Sequence, residues 1–545
     1  MTAPQRSSGQ PNREGSTVNK NMLAPQLAVL AAATVLCSLT SADLVKAEAP
    51  RGSLDKVVQE APQSASLTTT PPVAGAALRA YLRDTYPSFA YVERYRSAYP
   101  EEVQGSNALW SDEAPPPAST AEDLVFALSG LQDYHVSLKG PGAGRTETLG
   151  VLFRTSSDNQ MIVWRLFDMS AASVQSGDVV LSVNDMPAAA WLDRVQAVTF
   201  GGNRRSRAAQ AAFNLGMGTR ATHEIQGIGE TVSLTVQTGE SAPRKVTLHY
   251  QPMTEERAAA MVEAVEQRDL PRIFSAADMR IGTVRLGLFA PQFDAAFNEA
   301  NALAESAPGV SEEQAMIAGF CAVVRNFIAE FDAVAAEADL MVVDLRGNMG
   351  GFGRIAKLLA TAMTSASIPT FDVFPSGKPG VLKLVAQPDD PACGHVVSRK
   401  PIVVMTDAGT RSAGEHMAAW LWAGKAMLVG ERTIGAGGGL EAGSKGYALP
   451  NSDFSISASE SFAFFDPDSE LKTGETDEMA LIELVAADRF APSRERPFAT
   501  QAVGMRPDVE SESTLADLRD GGQAQIVRAI NALHEQGLLS LPISR

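Results

Sequence analysis

Leu340-Met341-Val342-Val343-Asp344-Leu345-Arg346-Gly347-Asn348-Met349-Gly350-Gly351-Phe352-Gly353 is the stretch on which the fold turns. Its opening apolar run is short and shows no polar alternation, the pattern of a strand buried on both faces. A Gly-rich turn follows and opens a helix over 353–366. The same alternation recurs on either side. IGTVRLGLF from Ile281 reads as a strand, 321–337 as a helix, PIVVMTD from Pro401 as a strand and 412–424 as a helix. Strands alternating with helices predict an α/β core with a largely parallel sheet, whose ligands sit at the carboxyl ends of its strands.

Upstream of this core the pattern changes. Between 147 and 252 short β-rich runs (GVLFRT, MIVWRLF, DVVLSVND, TVSLTVQT, KVTLHYQ) alternate with turns, which predicts a small β-rich domain. Gly150-Val151-Leu152-Phe153, then Gly177-Asp178-Val179-Val180-Leu181-Ser182-Val183-Asn184, then a helix from about Ala189 resemble the order of a PDZ domain, where a peptide terminus adds as a strand. A small β-domain of another type is the alternative. Residues 76–138 read as mainly helical, interrupted by the linker-like 112–117, and 50–75 as a loose leader.

The first residues have the form of a targeting segment. Arg6, Arg13 and Lys20 precede the apolar run MLAPQLAVLAAATVLCSL, and small residues follow at 40–42 and 47–49. That is the pattern of a cleaved secretory signal; an uncleaved anchor is the alternative, although Pro25 and Gln26 interrupt the run. The expectation is an exported, periplasmic or extracellular protein without a membrane span after cleavage. Cys37 lies in that signal, leaving Cys321 and Cys393 either as two thiols or as one disulfide. The 545 residues carry a formal net charge of −17 without a basic cluster, which argues against nucleic acid and anionic lipid as partners. No H-E-x-x-H, CxxC or other ligand spacing points to a metal, and no cofactor motif is present. Domain boundaries are placed at 1–49 (signal), 50–146 (leader and helical region), 147–252 (β-rich domain) and 253–545 (α/β core).

Two turns carry candidate chemistry. Asp407-Ala408-Gly409-Thr410-Arg411 leads from a buried strand to Ser412, at the start of a helix whose unsatisfied N–H groups face any oxyanion formed there. Taken alone, Ser412 reads as an ordinary N-cap. The glycines at 347–353 let backbone approach a substrate closely; a structural turn is the alternative, and a phosphate loop lacks its Lys-Ser/Thr.

Taken together, DLRGNMGG and TRSAGE resemble the tail-processing and tricorn-type serine peptidases, the S41 group. Glu431-Arg432-Thr433-Ile434-Gly435, Gly504-Met505-Arg506-Pro507-Asp508 and the ending TLADLRDGGQAQIVRAINAL add to the likeness. The resemblance implies a crotonase-like α/β protease core with the PDZ-like domain inserted, and protein or peptide substrates, with the PDZ-like domain either holding their tails or gating the cleft. Relative to that group, residues 290–320 and 455–500 look like insertions, candidates for lids, activation segments or interfaces. It implies Ser412 as nucleophile and an oxyanion hole from Ala413 with Gly350 or Gly351. One design in this group takes its base from a downstream lysine; that position holds Ala436. The other takes a histidine from a segment like Leu131-Gln132-Asp133-Tyr134-His135, which assigns His135 as general base. The position of the orienting glutamate holds Gln501, with Glu470 and Glu475 as alternative carboxylates. The rival readings are a binding protein on the same fold and a non-peptide hydrolase.

Overall fold

A computed structural model of the chain describes residues 75–98, 109–110, 121–139, 146–276, 278–389, 392–439, 447–448, 455–486 and 492–539. The expected signal (1–49), the leader to 74 and the 112–117 linker lie outside the described residues.

The central sheet has six strands in the order Ile273–Ala276, Met279–Arg285, Leu340–Asp344, Ile402–Thr406, Met427–Gly430 and Val509–Glu510. The first pair is antiparallel and the rest are parallel. Leu340–Asp344 is buried along its whole length, so its apolar run faces a core on both sides. Helices Glu312–Ala335, Gly353–Thr364 and Ala413–Ala423 cover one face and Gln523–Glu535 the other. Strands Leu340–Asp344 and Ile402–Thr406 each end, on the same edge, at the turn that feeds the next helix. Both Gly-rich turns lie on that edge.

Two differences from the sequence reading have local causes. The helix expected at 321–337 begins at Glu312, because Ser311 and Gln314 form a reciprocal capping box. With Ala295–Glu305 it makes a helical hairpin out of much of the stretch read as an insertion. Residues 461–465 are no surface lid: this strand is buried throughout and pairs with Thr370–Pro375 in a second, antiparallel sheet. That sheet's core also takes Tyr91, Val92 and Tyr95 from the N-terminal helix Phe89–Ala98. Cys321 and Cys393 form a disulfide, Cα–Cα 4.8 Å, tying the long helix to the loop ahead of Ile402.

The five strands expected between 147 and 252 form one antiparallel sheet, Val151–Thr155, Met161–Leu166, Val179–Val183, Thr231–Gln237 and Arg244–His249 in that order. Helices Ala188–Val195 and Arg204–Gly216 pack on it around a core of its own. Strand Val151–Thr155 is the edge, and Arg204–Gly216 lies along it. Among the described residues no helix is long and apolar enough to cross a membrane.

Candidate active site

The strand Ile402–Thr406 delivers its chain into a turn stitched to the Gly-rich turn beside it. Asp407 Oδ1 accepts from the N–H of Gly347 at 2.8 Å and of Gly409 at 3.0 Å, and its other oxygen takes the Arg154 guanidinium. Thr410 Oγ1 donates to the Leu345 carbonyl, and the Arg411 N–H to that of Asn348. Burial alone would raise the Asp407 carboxyl, but Arg154 and the backbone donors outweigh it and hold it below its ordinary value. The two turns are thus tied together by hydrogen bonds.

Ser412 occupies the N-cap position of Ala413–Ala423 but makes no capping bond, which removes the plain N-cap reading. Its backbone sits at φ 53°, ψ −127°, a region that costs a non-glycine residue roughly 1–3 kcal/mol. The strain turns Oγ out of the helix toward His135, whose Nε2 lies 3.2 Å away. His135 is buried, 277 residues earlier in the chain. It is carried between helix Ala121–Ser129 and the short strand Ser137–Lys139, which pairs with Ser455–Ser457.

Gly350 packs against the serine. At φ +85°, a Cβ there would meet Ser412 Cβ at 2.7 Å and Oγ at 3.1 Å, so no side chain fits. Its N–H does not point at the serine, because it donates to Asn348 Oδ1 at 2.8 Å. Of the two glycines named for an oxyanion hole, Gly350 is therefore a clearance residue. The N–H groups of Gly351 and Ala413 have no partner among the described residues.

Behind His135 the structure departs from the expectation for Gln501. Gln501 makes no hydrogen bond to the imidazole; its Nε2 donates to the Tyr86 hydroxyl at 3.1 Å. Tyr86 donates in turn to Asp133 Oδ2 at 2.7 Å, where Ser459 also donates at 3.0 Å. Asp133 Oδ1 accepts the backbone N–H of His135 at 2.9 Å and lies 3.6 Å from Nδ1, which makes no hydrogen bond. The cause is local: with Gln132 at φ 52°, the 131–136 turn folds back and sets the carboxylate two residues before His135 against its own imidazole. Burial would raise the Asp133 carboxyl, but His135 and Tyr86 outweigh it and hold it low, hence ionised. Glu470 is exposed, and Glu475 is exposed and paired with Lys378 at 2.7 Å, so neither serves the imidazole.

Two further groups surround the serine. Glu415 is buried and accepts from Thr433 Oγ1 and the N–H groups of Gly435 and Ala436. Burial pushes its carboxyl up to about 7. His416 stacks edge-on against Trp420 and Phe465, and burial with the nearby His135 pushes it down to about 4, which keeps it neutral. Ala436 is buried. Of these groups, Asp133 had a legible signal in its D-x-H spacing, and Glu415 in the S-A-G-E run. Tyr86 had none.

Residues 316–444, which include the Gly-rich turn and Ser412, match the model of peptidase family S41, and the chain is a serine-type peptidase. No curated protein matches it by sequence. Among solved structures it is similar to mature CPAF complexed with lactacystin (15% identity over 85% of this chain and 97% of that one, TM-score 0.50). It is also similar to a serine-to-alanine mutant of CPAF (13% identity, 86% and 98% covered, TM-score 0.51). At such identities these likenesses speak for the fold, an S41-protease arrangement of mixed α/β content. A more distant likeness is to the photosystem II D1 C-terminal processing protease (14% identity, 78% and 93% covered, TM-score 0.34).

Proposed function

We propose that this chain is an exported serine endopeptidase that cleaves proteins or peptides through an acyl-enzyme on Ser412, with His135 as general base. The observation that carries the reading is the 3.2 Å approach of His135 Nε2 to Ser412 Oγ, beside two backbone N–H groups without partners among the described residues. With its proton on Nδ1, toward Asp133, the imidazole accepts the Oγ proton as Oγ bonds to the scissile carbonyl carbon. The carbonyl oxygen becomes an anion held by the N–H groups of Gly351 and Ala413, and removing one such donor costs about 3–4 kcal/mol of transition-state stabilisation. The C–N bond then breaks, and the proton on Nε2 leaves with the amine. A water gives its proton to Nε2, attacks the acyl carbon, and Oγ departs with that proton restored. Asp133, ionised and held by Tyr86 and Ser459, favours the Nδ1-protonated tautomer by its charge and faces the imidazolium; Gln501 braces Tyr86 from behind.

The Cys321–Cys393 disulfide supports export, since such bonds persist in oxidising compartments. We read the β-rich unit as PDZ-like, a domain inserted between base and nucleophile. Its groove is closed at one end: Leu149 N–H donates to the Gly216 carbonyl at 2.9 Å, and a Cβ on Gly216 would lie 2.3 Å from the Val151 carbonyl. Tail capture there requires helix Arg204–Gly216 to move away, so gating of the cleft is the role we assign to it.

Fluorophosphonate labelling of the full chain, read by intact mass, tests the assignment. One adduct is expected on the wild type and none on Ser412→Ala or His135→Ala. An adduct that persists in Ser412→Ala contradicts it.

A further inference from the structure

Arg411, the residue before Ser412, is 4% exposed. Its guanidinium lies over the ring of Phe213, 4.1 Å from the centroid, and over that of Tyr134 at 5.0 Å. One terminal nitrogen donates to Gln210 Oε1, while Nε has no hydrogen-bond partner. Among the described residues no carboxylate lies within ion-pair distance of it. Asp407 favours its charge only from a distance, being engaged by Arg154; a buried guanidinium without a direct ion pair is an expensive way to fill space, and faces of two aromatic rings replace only part of its lost hydration. Its geometry shows what it does there.

Phe213 and Gln210 belong to helix Arg204–Gly216 of the inserted unit. Tyr134 precedes His135, and the two rings meet edge-on at 5.2 Å. The contacts close a ring: Ser412 is bonded to Arg411, Arg411 lies on Tyr134, Tyr134 adjoins His135, and His135 faces Ser412. Among the described residues no backbone hydrogen bond joins 131–136 to 407–413. Besides the His135–Ser412 contact itself, the guanidinium thus braces the segment of the base against that of the nucleophile, and its other face rests on the inserted unit.

We propose that Arg411 is a positioning residue that fixes the separation of Ser412 and His135 and transmits the docking of helix Arg204–Gly216 to that pair. This deepens the serine-peptidase reading and rests on it. Arg411→Met keeps the length and apolar contact and removes the charge; Arg411→Lys keeps the charge. For the full chain, Arg411→Met is expected to lower kcat and the fluorophosphonate labelling rate by about tenfold or more, because small misplacements of reacting groups are costly. KM is expected to stay within about twofold, and Arg411→Lys to restore part of the rate. In a cycle with Tyr134→Leu, the double variant is expected to be no slower than Arg411→Met alone. Wild-type rates in Arg411→Met, or additive losses in the cycle, overturn the proposal. Hydrogen exchange separates its failure from failure of the peptidase reading. Faster exchange in 131–139 of Arg411→Met, with 523–535 unchanged, supports the brace even if the wild type never labels. Unchanged exchange in 131–139 overturns it.

Discussion

Replacing Asp133 by Asn tests the electrostatic half of the site. In the wild type the ionised carboxylate faces His135 Nδ1 at 3.6 Å. When the imidazole takes the serine proton it becomes a cation. At that distance, with an effective dielectric constant near 20, the pair attraction is roughly 4.6 kcal/mol, or about three orders of magnitude in rate. Asn keeps the shape but loses the charge, and it turns an amide toward either His135 or the donors Tyr86 and Ser459. We therefore expect Asp133→Asn to lower kcat/KM for a peptide substrate by about 10³- to 10⁴-fold, with the larger loss in kcat. Gln501→Ala removes one hydrogen bond to Tyr86, worth about 1 kcal/mol, and is expected to cost roughly fivefold. The assay is steady-state cleavage of a quenched peptide by both variants, with circular dichroism to establish folding. If Asp133→Asn keeps more than a tenth of the activity while Gln501→Ala abolishes it, the orienting group is Gln501 and the reasoning fails.

The strained Ser412 backbone predicts that Ser412→Gly, although inactive, raises unfolding free energy by about 1 kcal/mol, the relieved strain less the added chain entropy; a lower denaturant midpoint refutes this. The disulfide closes a separation of 72 residues, so Cys321→Ser with Cys393→Ser is expected to lose about 4 kcal/mol on the chain-entropy account, and unchanged melting argues against the bond. Glu415 is raised to about 7 in the folded chain, so its contribution to stability is complete below its unfolded value and is lost as pH rises toward 7. Between pH 4.5 and 7 this removes up to about 3 kcal/mol. Glu415→Gln should flatten that part of the stability profile, and parallel profiles for the two proteins contradict the assignment.

What the sequence revealed followed from local pattern. An apolar run as short as Leu340–Val343, ending in a Gly-rich turn, reads as a buried strand, and the turns at 347–351 and 407–411 inherit their place from the strands that end in them. His135 was legible because its neighbours resemble a known segment. The side chain of Gln501 goes to Tyr86 rather than to the imidazole, because position relative to Gly504 says nothing about side-chain direction. The turn at Gln132 instead brings the Asp133 carboxylate to 3.6 Å from His135 Nδ1. Tyr86 and Arg411 join segments far apart in the chain, and such contacts leave no periodicity to read. The stretch 461–465 looked like an insertion because strand pairing with Thr370–Pro375 is equally invisible along the chain.

The most direct test of the central claim is peptide cleavage by Ser412→Ala, His135→Ala and the double variant. If the two side chains act as one unit, each single variant falls to the residual rate of the double, because a nucleophile without its base is as idle as a base without its nucleophile. Multiplicative losses, or a His135→Ala protein that retains most of the wild-type rate, contradict the account.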